Sequence, residues 1–343
     1  MLNSILVPLD GSTFAEHALP AACAIARQAG ATLRLVHVHT LTPTPIYIEG
    51  EPVIDQNLAS LSRKHEQIYL TEIEGQLKAT DPALRVTTEW LDRTLQSMVN
   101  EPLAAFLARH IVNTAPDLVV MTTHGRGGLE RAWLGSVADT LVRLSHTPLL
   151  LLRPKTDAPD FSQLPTFKHI LIPLDGSPLA EQVLTPALMV GDLMQAEYTL
   201  LRAVETVINP GYWPRVRMER SDWPLPHATE PHMVEVPPQE SGIAETELVA
   251  TRAAEVELAK EYMAGIVQQF QTPERQIHSH VVLAESPADA ILAAVQKYAC
   301  DLVTLATHGR SGVSRLLLGS VADKVLRGAT TAVLIYRPQA AQP

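Results

Sequence analysis

The chain carries one stretch twice, and that duplication constrains its fold more than any other feature. The first copy runs from Asp117 to Asp139 as Asp-Leu-Val-Val-Met-Thr-Thr-His-Gly-Arg-Gly-Gly-Leu-Glu-Arg-Ala-Trp-Leu-Gly-Ser-Val-Ala-Asp. The second runs from Asp301 to Asp323 as Asp-Leu-Val-Thr-Leu-Ala-Thr-His-Gly-Arg-Ser-Gly-Val-Ser-Arg-Leu-Leu-Leu-Gly-Ser-Val-Ala-Asp. Each opens with an apolar run of strand character and breaks into a glycine-bearing loop. Each ends in Gly-Ser with an acid three residues beyond the serine. The Ser-x-x-Asp spacing predicts a capping-box-like helix start, with Ser136 or Ser320 accepting a hydrogen bond from a free backbone N–H. Strand, loop and helix N-terminus together gather unpaired N–H donors in front of a positive dipole end, an arrangement suited to phosphate. One glycine turn of this kind is unremarkable in an α/β protein. Two with the same spacing, sharing Thr-His-Gly-Arg, mark a repeated domain.

The rest of the chain follows the same duplication. Residues 4–9 read as a buried strand ending at Asp10-Gly11-Ser12, and the phrase returns at 170–174 before Asp175-Gly176-Ser177. Ser12 and Ser177 are predicted N-caps of the helices that follow, marked by Ala15, Ala18, Leu19, Ala22 and Ala26 at helical spacing. Asp10 and Asp175 fit a turn or cap, and they also stand at the carboxyl end of strand one, where open parallel sheets bind ligands. Strand two is expected over 31–38 and again over 198–204, and strand three over 85–91 and 277–283. Helices are expected near 57–79, 98–114, 244–271 and 287–299. The final strands, 148–154 and 332–338, close on prolines that confine them to sheet edges or ends. The two halves are expected to pair through these strands within one chain.

Two segments break the pattern. Residues 40–57, with Pro43, Pro45 and Pro52, read as a loop. Residues 206–243 carry seven prolines with Trp213 and Trp223, which excludes a regular helix or central strand and leaves a lid, a binding surface or a disordered segment. Asp10 to Asp175 is an offset of 165 and Gly125 to Gly309 one of 184, so the second copy is 19 residues longer there, and this insertion is the obvious source. The domains are therefore read as 1–155 and 167–343, joined by a linker at 156–166. His37 and His39 share a strand face, which makes them a conceivable metal pair. No third ligand follows at convincing spacing, and Ala203 and Glu205 are read in their place in the second repeat, so packed or solvated histidines are the better reading.

Length and composition agree with two globular units. The 343 residues exceed one usual core, and 46% hydrophobic with 19% charged residues is ordinary for a soluble protein. A formal charge of −10 argues against salt-driven nucleic-acid binding, though a local cradle can still hold a small phosphorylated ligand. Cys23 and Cys300 form no CxxC or disulfide framework, which fits a reducing compartment. No signal peptide and no apolar run near the roughly 18 residues of a membrane span can be read, so a cytoplasmic location is expected.

The strand-one phrase Pro-Leu-Asp-Gly-Ser, followed by Thr-His-Gly-Arg and the later Gly-Ser, resembles the universal stress protein family. The resemblance covers nearly the whole chain as two tandem domains and is weakest in 40–57 and 206–243. It implies an α/β fold of two tandem open five-stranded parallel sheets, Rossmann-like and of the adenine-nucleotide α-hydrolase type. The family's nucleotide-binding branch carries Gly-x-x-Gly, nine residues, then Gly-Ser or Gly-Thr, and binds ATP, here with or without magnesium. Nine residues do separate Gly125 from Gly135-Ser136 and Gly309 from Gly319-Ser320. Thr122 and Ala306 replace the first glycine, placing a Cβ where the family has none.

By that resemblance Asp10 and Asp175, two residues after Pro8 and Pro173, would touch the adenosine part, with Val38 and Val204 near adenine. Gly125, Gly135, Ser136 and Val137 in one domain, and Gly309, Gly319, Ser320 and Val321 in the other, would hold phosphates. Arg126 and Arg310 would add charge or remain solvated loop arginines, and His124 and His308 would orient the loop. The implied function is a nucleotide-binding stress-response sensor or regulator, with one chain equivalent to a family dimer and open to further homodimerisation. Alternatives are a slow ATPase or nucleotidyl-transfer enzyme and a dimerisation module with empty pockets. No GxxxxGK[ST] loop and no set of nucleophile, base and orienter supports an enzyme.

Overall fold

The computed structural model describes residues 2–40, 46–48, 51–53, 56–93, 101–123, 134–154, 157–206, 245–307 and 318–339. The first repeat builds β1 (Ser4–Leu9), α1 (Thr13–Glu16), α2 (Leu19–Ala29), β2 (Thr32–His39), β3 (Ile46–Ile48), β4 (Glu51–Val53), α3 (Gln56–Thr80), β5 (Arg85–Asp92), α4 (Leu103–Thr114), β6 (Leu118–Thr122), α5 (Ser136–Leu144) and β7 (Leu149–Leu152). The second builds β8 (His169–Pro173), α6 (Pro178–Glu181), α7 (Leu184–Met194), β9 (Glu197–Glu205), α8 (Glu245–Phe270), β10 (Ile277–Ala284), α9 (Pro287–Lys297), β11 (Leu302–Ala306), α10 (Ser320–Gly328) and β12 (Ala332–Tyr336). The insertion read at 206–243 lies outside the described residues except for Thr206.

The expectation of two separate five-stranded parallel sheets is corrected. One continuous ten-stranded sheet runs in the order β10-β9-β8-β11-β12-β7-β6-β1-β2-β5. Each half is parallel, but β7 and β12 join antiparallel, with Val333 opposite Leu151, Leu334 opposite Leu150 and Ile335 opposite Leu149. The pairing through the two final strands is the one expected from their apolar, proline-closed sequences. Its consequence is a mixed sheet: each half loses a free edge to the other, and the backbone N–H and C=O groups of both strands are satisfied across the seam.

The sheet has two covered faces. Leu33 and Leu35 of β2 and Ile170 and Ile172 of β8 point to the face packed by α2, α3, α7 and α8. Val36, Val119, Met121 and Leu201 point to the other, packed by α4, α5, α9 and α10. Strands buried on both faces explain why β1, β6 and β8 read as unbroken apolar runs. The segment read as a loop over 40–57 instead holds an antiparallel ribbon, with Ile46 opposite Val53 and Tyr47 opposite Pro52, and the start of α3. A two-stranded ribbon tolerates Pro52 because its ladder has a free side.

The strand order reverses direction between β1 and β6 and between β8 and β11. At both places the pairing is short. β1 pairs with β2 over six positions but with β6 only at Ile5–Leu118 and Leu6–Val119. β8 pairs with β11 only at Ile170–Leu302 and Leu171–Val303. Pro8 and Pro173, which have no N–H to give a ladder, lie two residues past the last pair on that side. Past those pairs the strands are no longer hydrogen-bonded to each other, so each half has a topological switch point at the carboxyl end of its first strand, the place where open α/β sheets form a crevice.

Candidate functional site

One wall of each crevice is the Asp-Gly-Ser turn. The Asp10 Oδ1 accepts hydrogen bonds from the Ser12 amide at 2.9 Å and the Ser12 hydroxyl at 2.5 Å. Asp175 does the same with Ser177 at 2.9 and 2.6 Å. Gly11 and Gly176 both sit at φ 80°, a left-handed conformation open to glycine at no steric cost. Each serine then accepts from the amide three residues on, at 3.3 Å from Ala15 and 3.2 Å from Ala180, so the expected N-caps form. The turn and cap role of the aspartates is therefore realised, at the carboxyl end of the first strand of each half.

The opposite wall begins at the ends of β6 and β11. Thr122 and Ala306, the last residues of those strands, stand where the family motif has glycine, and Thr122 is buried. The chain returns at Gly135 and Gly319, whose amides donate to the carbonyls of Thr123 at 2.7 Å and Thr307 at 2.9 Å. These glycines, not Ser136 and Ser320, are the N-caps of α5 and α10, and no side chain caps either helix. The expected capping box is thus corrected, and the reason is geometric. Shifting the cap back one residue moves Asp139 and Asp323 a step deeper into the helix. The glycine amide that a box would use already serves the threonine carbonyl. Asp139 instead meets Arg143 through two contacts of 2.9 Å, and Asp323 meets Arg327 at 2.9 Å. What remains is a bare helix start at the crevice, with Ser136, Val137, Ser320 and Val321 in the first turns. At Gly319 a Cβ would lie 3.0 Å from the Thr307 carbonyl oxygen, so close approach favours glycine there. His124, Gly125, Arg126, His308, Gly309 and Arg310 lie outside the described residues.

Strand register separates two of the sequence-predicted positions. Pro8 pairs with Val36 and Pro173 with Leu201, which equates Val38 with Ala203 and His39 with Val204. Val38 and Val204 therefore point to opposite faces of the sheet, and only Val38 lies on the face of Val36. The same register puts Arg202, not Ala203, at the place of His37. The histidines are packed and hydrogen-bonded, as their second reading had it. His39 is fully buried, with Nδ1 2.7 Å from Glu66 Oε2, and the Trp90 indole donates to the same oxygen at 3.0 Å. Among the described residues no group of three His, Cys, Asp or Glu side chains is arranged to hold a metal ion.

Several residues of the crevices carry no local sequence signal. Tyr69 of α3 donates to Glu16 at 3.0 Å, next to Asp10. Burial pushes the Glu16 carboxyl up; the Tyr69 hydroxyl and His17 only partly offset this, and the charge of Asp10 adds to it. In the second half Tyr262 stands beside Glu181, its phenol pushed up by burial and by that carboxylate, with Asp175 and Arg202 close by. At the opposite, amino ends of the same strands, away from the crevice, an aspartate ties each pair together. Asp117 accepts from the amides of Asn3 and Ser4 at 2.7 and 2.9 Å, and Asp301 from those of Lys168 and His169 at 2.8 and 3.2 Å.

Comparison with known proteins follows this geometry. The profile of the universal stress protein family matches residues 1–153 and 215–337, most of the chain and both repeats. The chain belongs to the universal stress protein family. A universal stress protein of Mycolicibacterium smegmatis is 26% identical over 338 residues, covering 98% of this chain and 97% of that one. A universal stress protein of Mycobacterium tuberculosis is 29% identical over 229 residues, and the chain spans only 63% of that relative's length. Among solved structures, a universal stress protein from Archaeoglobus fulgidus shares the fold over 99% of this chain and 98% of its own, with a TM-score of 0.60 and 16% identity. This universal stress protein is thus a tandem member, and among its described residues no helix is long and apolar enough to cross a membrane.

Proposed function

We propose that this universal stress protein binds an adenine nucleotide, ATP foremost, in each crevice, and acts as a stress-response sensor or regulator rather than a rapid enzyme. The observation that carries this reading is the repeated crevice itself. At each reversal of strand order, an aspartate just past the end of strand one accompanies a helix whose first turn has no side-chain cap. In open α/β sheets that is where ligands bind, and the uncapped N–H groups offer donors to phosphate. Asp10 and Asp175 would take the adenosine side. Gly135, Ser136 and Val137, and Gly319, Ser320 and Val321, would take the phosphates, together with Gly125, Arg126, Gly309 and Arg310 of the connecting loops. Magnesium, if bound, would accompany the phosphates. The sequence carries no recognisable set of nucleophile, base and orienter, which favours slow hydrolysis at most.

Thr122 and Ala306 favour a second reading, in which the crevices stay empty and the chain is a dimerisation module in one piece. Mass spectrometry of small molecules released from the gently purified, then denatured, protein separates the two. Retained adenine nucleotide supports the first; none retained, with no heat on ATP titration, supports the second. Gly319→Asp should abolish binding in the second crevice. Its Cβ crowds the Thr307 carbonyl, and its carboxylate competes for the helix donors. Gly135→Asp should do the same in the first, and unchanged ATP affinity in both variants would refute the cradle.

A further inference from the structure

The two crevices differ most beneath their aspartates, at the ends of the second strands. In the first half, the part-buried Glu66 of α3 collects two donors on one carboxylate oxygen. His39 Nδ1 lies at 2.7 Å and Trp90 Nε1 at 3.0 Å, the Ser62 hydroxyl reaches the other oxygen at 3.3 Å, and His37 Nε2 stands nearby at 3.6 Å, beyond hydrogen-bond distance. The His37 ring lies 6.3 Å from that of Tyr69, which in turn holds Glu16 beside Asp10. The polar chain therefore runs from the crevice wall into the layer between β2 and α3. Among the described residues the second half has no such chain. Register puts Arg202 at His37, Val204 at His39 and Val281 at Trp90. With Tyr262 in the place of Tyr69, Ala259 stands where α3 has Glu66.

We propose, resting on the nucleotide reading above, that the His37–Glu66–His39 cluster makes ligand binding in the first crevice proton-linked, while the second crevice, with Arg202, Ala259 and Val204, binds with little dependence on pH. Donation to an ionised Glu66 places the His39 proton on Nδ1 and leaves Nε2 as a bare lone pair. That nitrogen is fully buried and has no hydrogen-bond partner among the described residues. A proton arriving there turns the ring cationic against the carboxylate and offsets a part-buried negative charge. Glu66 and Tyr69 of α3 meet the histidine pair directly, Asp92 of β5 lies opposite His39 in register and near Arg63, and Glu16 and Asp10 of the crevice wall are reached through Tyr69. All but Arg63 and Tyr69 are acids, and Arg63 lies 4.0 Å from Asp92. An anionic ligand adds negative charge to this set, so the bound state holds protons more strongly than the free state. By reciprocity the affinity rises as pH falls. In the second crevice the Arg202 guanidinium stays charged throughout and supplies the counter-charge without taking up a proton.

The test uses the full chain. Gly319→Asp leaves the first crevice alone and Gly135→Asp leaves the second, and ATP is titrated calorimetrically between about pH 6 and pH 8, where unperturbed histidine changes charge. Proton uptake is read from buffers of different ionisation heat. The first crevice should gain up to about tenfold in affinity per pH unit on acidification relative to the second, the limit for one linked proton. Glu66→Gln keeps the acceptor but removes the charge, and should flatten the difference. A second readout needs no ligand: the Trp90 fluorescence, taken as wild type minus Trp90→Phe, should change over the same pH range and cease to do so in Glu66→Gln. Equal slopes in the two crevices, or a Trp90 signal indifferent to pH, overturn the proton linkage alone. Absence of ATP binding from both crevices at every pH overturns the nucleotide reading and the linkage with it.

Discussion

Asp192 is the residue whose chemistry can be tested most directly against pH. It lies on α7, accepts from the Tyr198 hydroxyl at 2.8 Å and meets the Arg275 guanidinium twice, at 2.9 and 2.7 Å. Burial works to raise its carboxyl, but the hydrogen bonds from Arg275 and Tyr198 outweigh it and hold the group below the usual range. A lowered native value stabilises above the unfolded value and is lost as pH falls through the native one. Asp192→Asn should therefore cost about 1 kcal/mol at neutral pH, a figure kept small by the solvent open to the pair, and should flatten the acid side of the stability curve. Urea denaturation at neutral and acid pH measures both. Other residues differ in how far the sequence reveals them. The Asp10-Gly11-Ser12 turn was legible because the bonds that shape it join residues two or three apart. The cap at Ser136 was misplaced by one because the Gly135 amide is taken by Thr123 across the loop. Val204 is not the counterpart of Val38, because register is set by the neighbouring strand, which a single strand's sequence does not disclose.

Among the elements, β7 and β12 carry the arrangement of the halves. Leu150 and Leu334 face each other across the seam, and both are fully buried. Leu150 also stands opposite Val120 of β6, so it has a strand on each side. Leu150→Pro removes a ladder donor inside the sheet and should destabilise by about 3 kcal/mol or more. Hydrogen exchange should then show lost protection at Val333–Ile335 as well as in β7; protection retained in β12 would mean that the seam does not depend on this ladder. The helices and strands of each half were legible from hydrophobic period and from the duplication. The continuity of the sheet was not. Each half reads as a self-sufficient five-stranded unit, and only the pairing of the two apolar edges turns two parallel sheets into one mixed sheet. The β3–β4 ribbon was missed because prolines dominate its composition, while Ile46, Tyr47 and Ile48 give it strand character.

At the scale of the molecule, the seam is the two-fold relation of a dimer written into one chain. Residues 1–155 expressed alone would leave β7 as an uncovered apolar edge, and an antiparallel copy of the same strand is its simplest cover. That fragment should sediment as a dimer; a stable monomer would show that β7 does not need a partner strand. Comparison of the two crevices is for this reason best made in the intact chain, with one crevice silenced at a time. There the residue in place of the first motif glycine should set the intrinsic affinities. Ala306 adds a methyl at the end of β11, whereas Thr122 adds a β-branched group that is bulkier and stiffer about χ1. Crowding of a close backbone approach costs about 1–3 kcal/mol, or roughly tenfold to a hundredfold in affinity. The second crevice should therefore bind ATP more tightly than the first at a pH where the histidine cluster is neutral. Thr122→Gly should recover most of the difference in the first, and Ala306→Gly should change the second only slightly. The order of affinities and the effect of pH are separable, because steric crowding shifts the first crevice equally at every pH while proton linkage tilts it. Tighter binding by the first crevice at high pH, with Thr122→Gly without effect, would make the threonine hydroxyl a ligand contact and end the steric account.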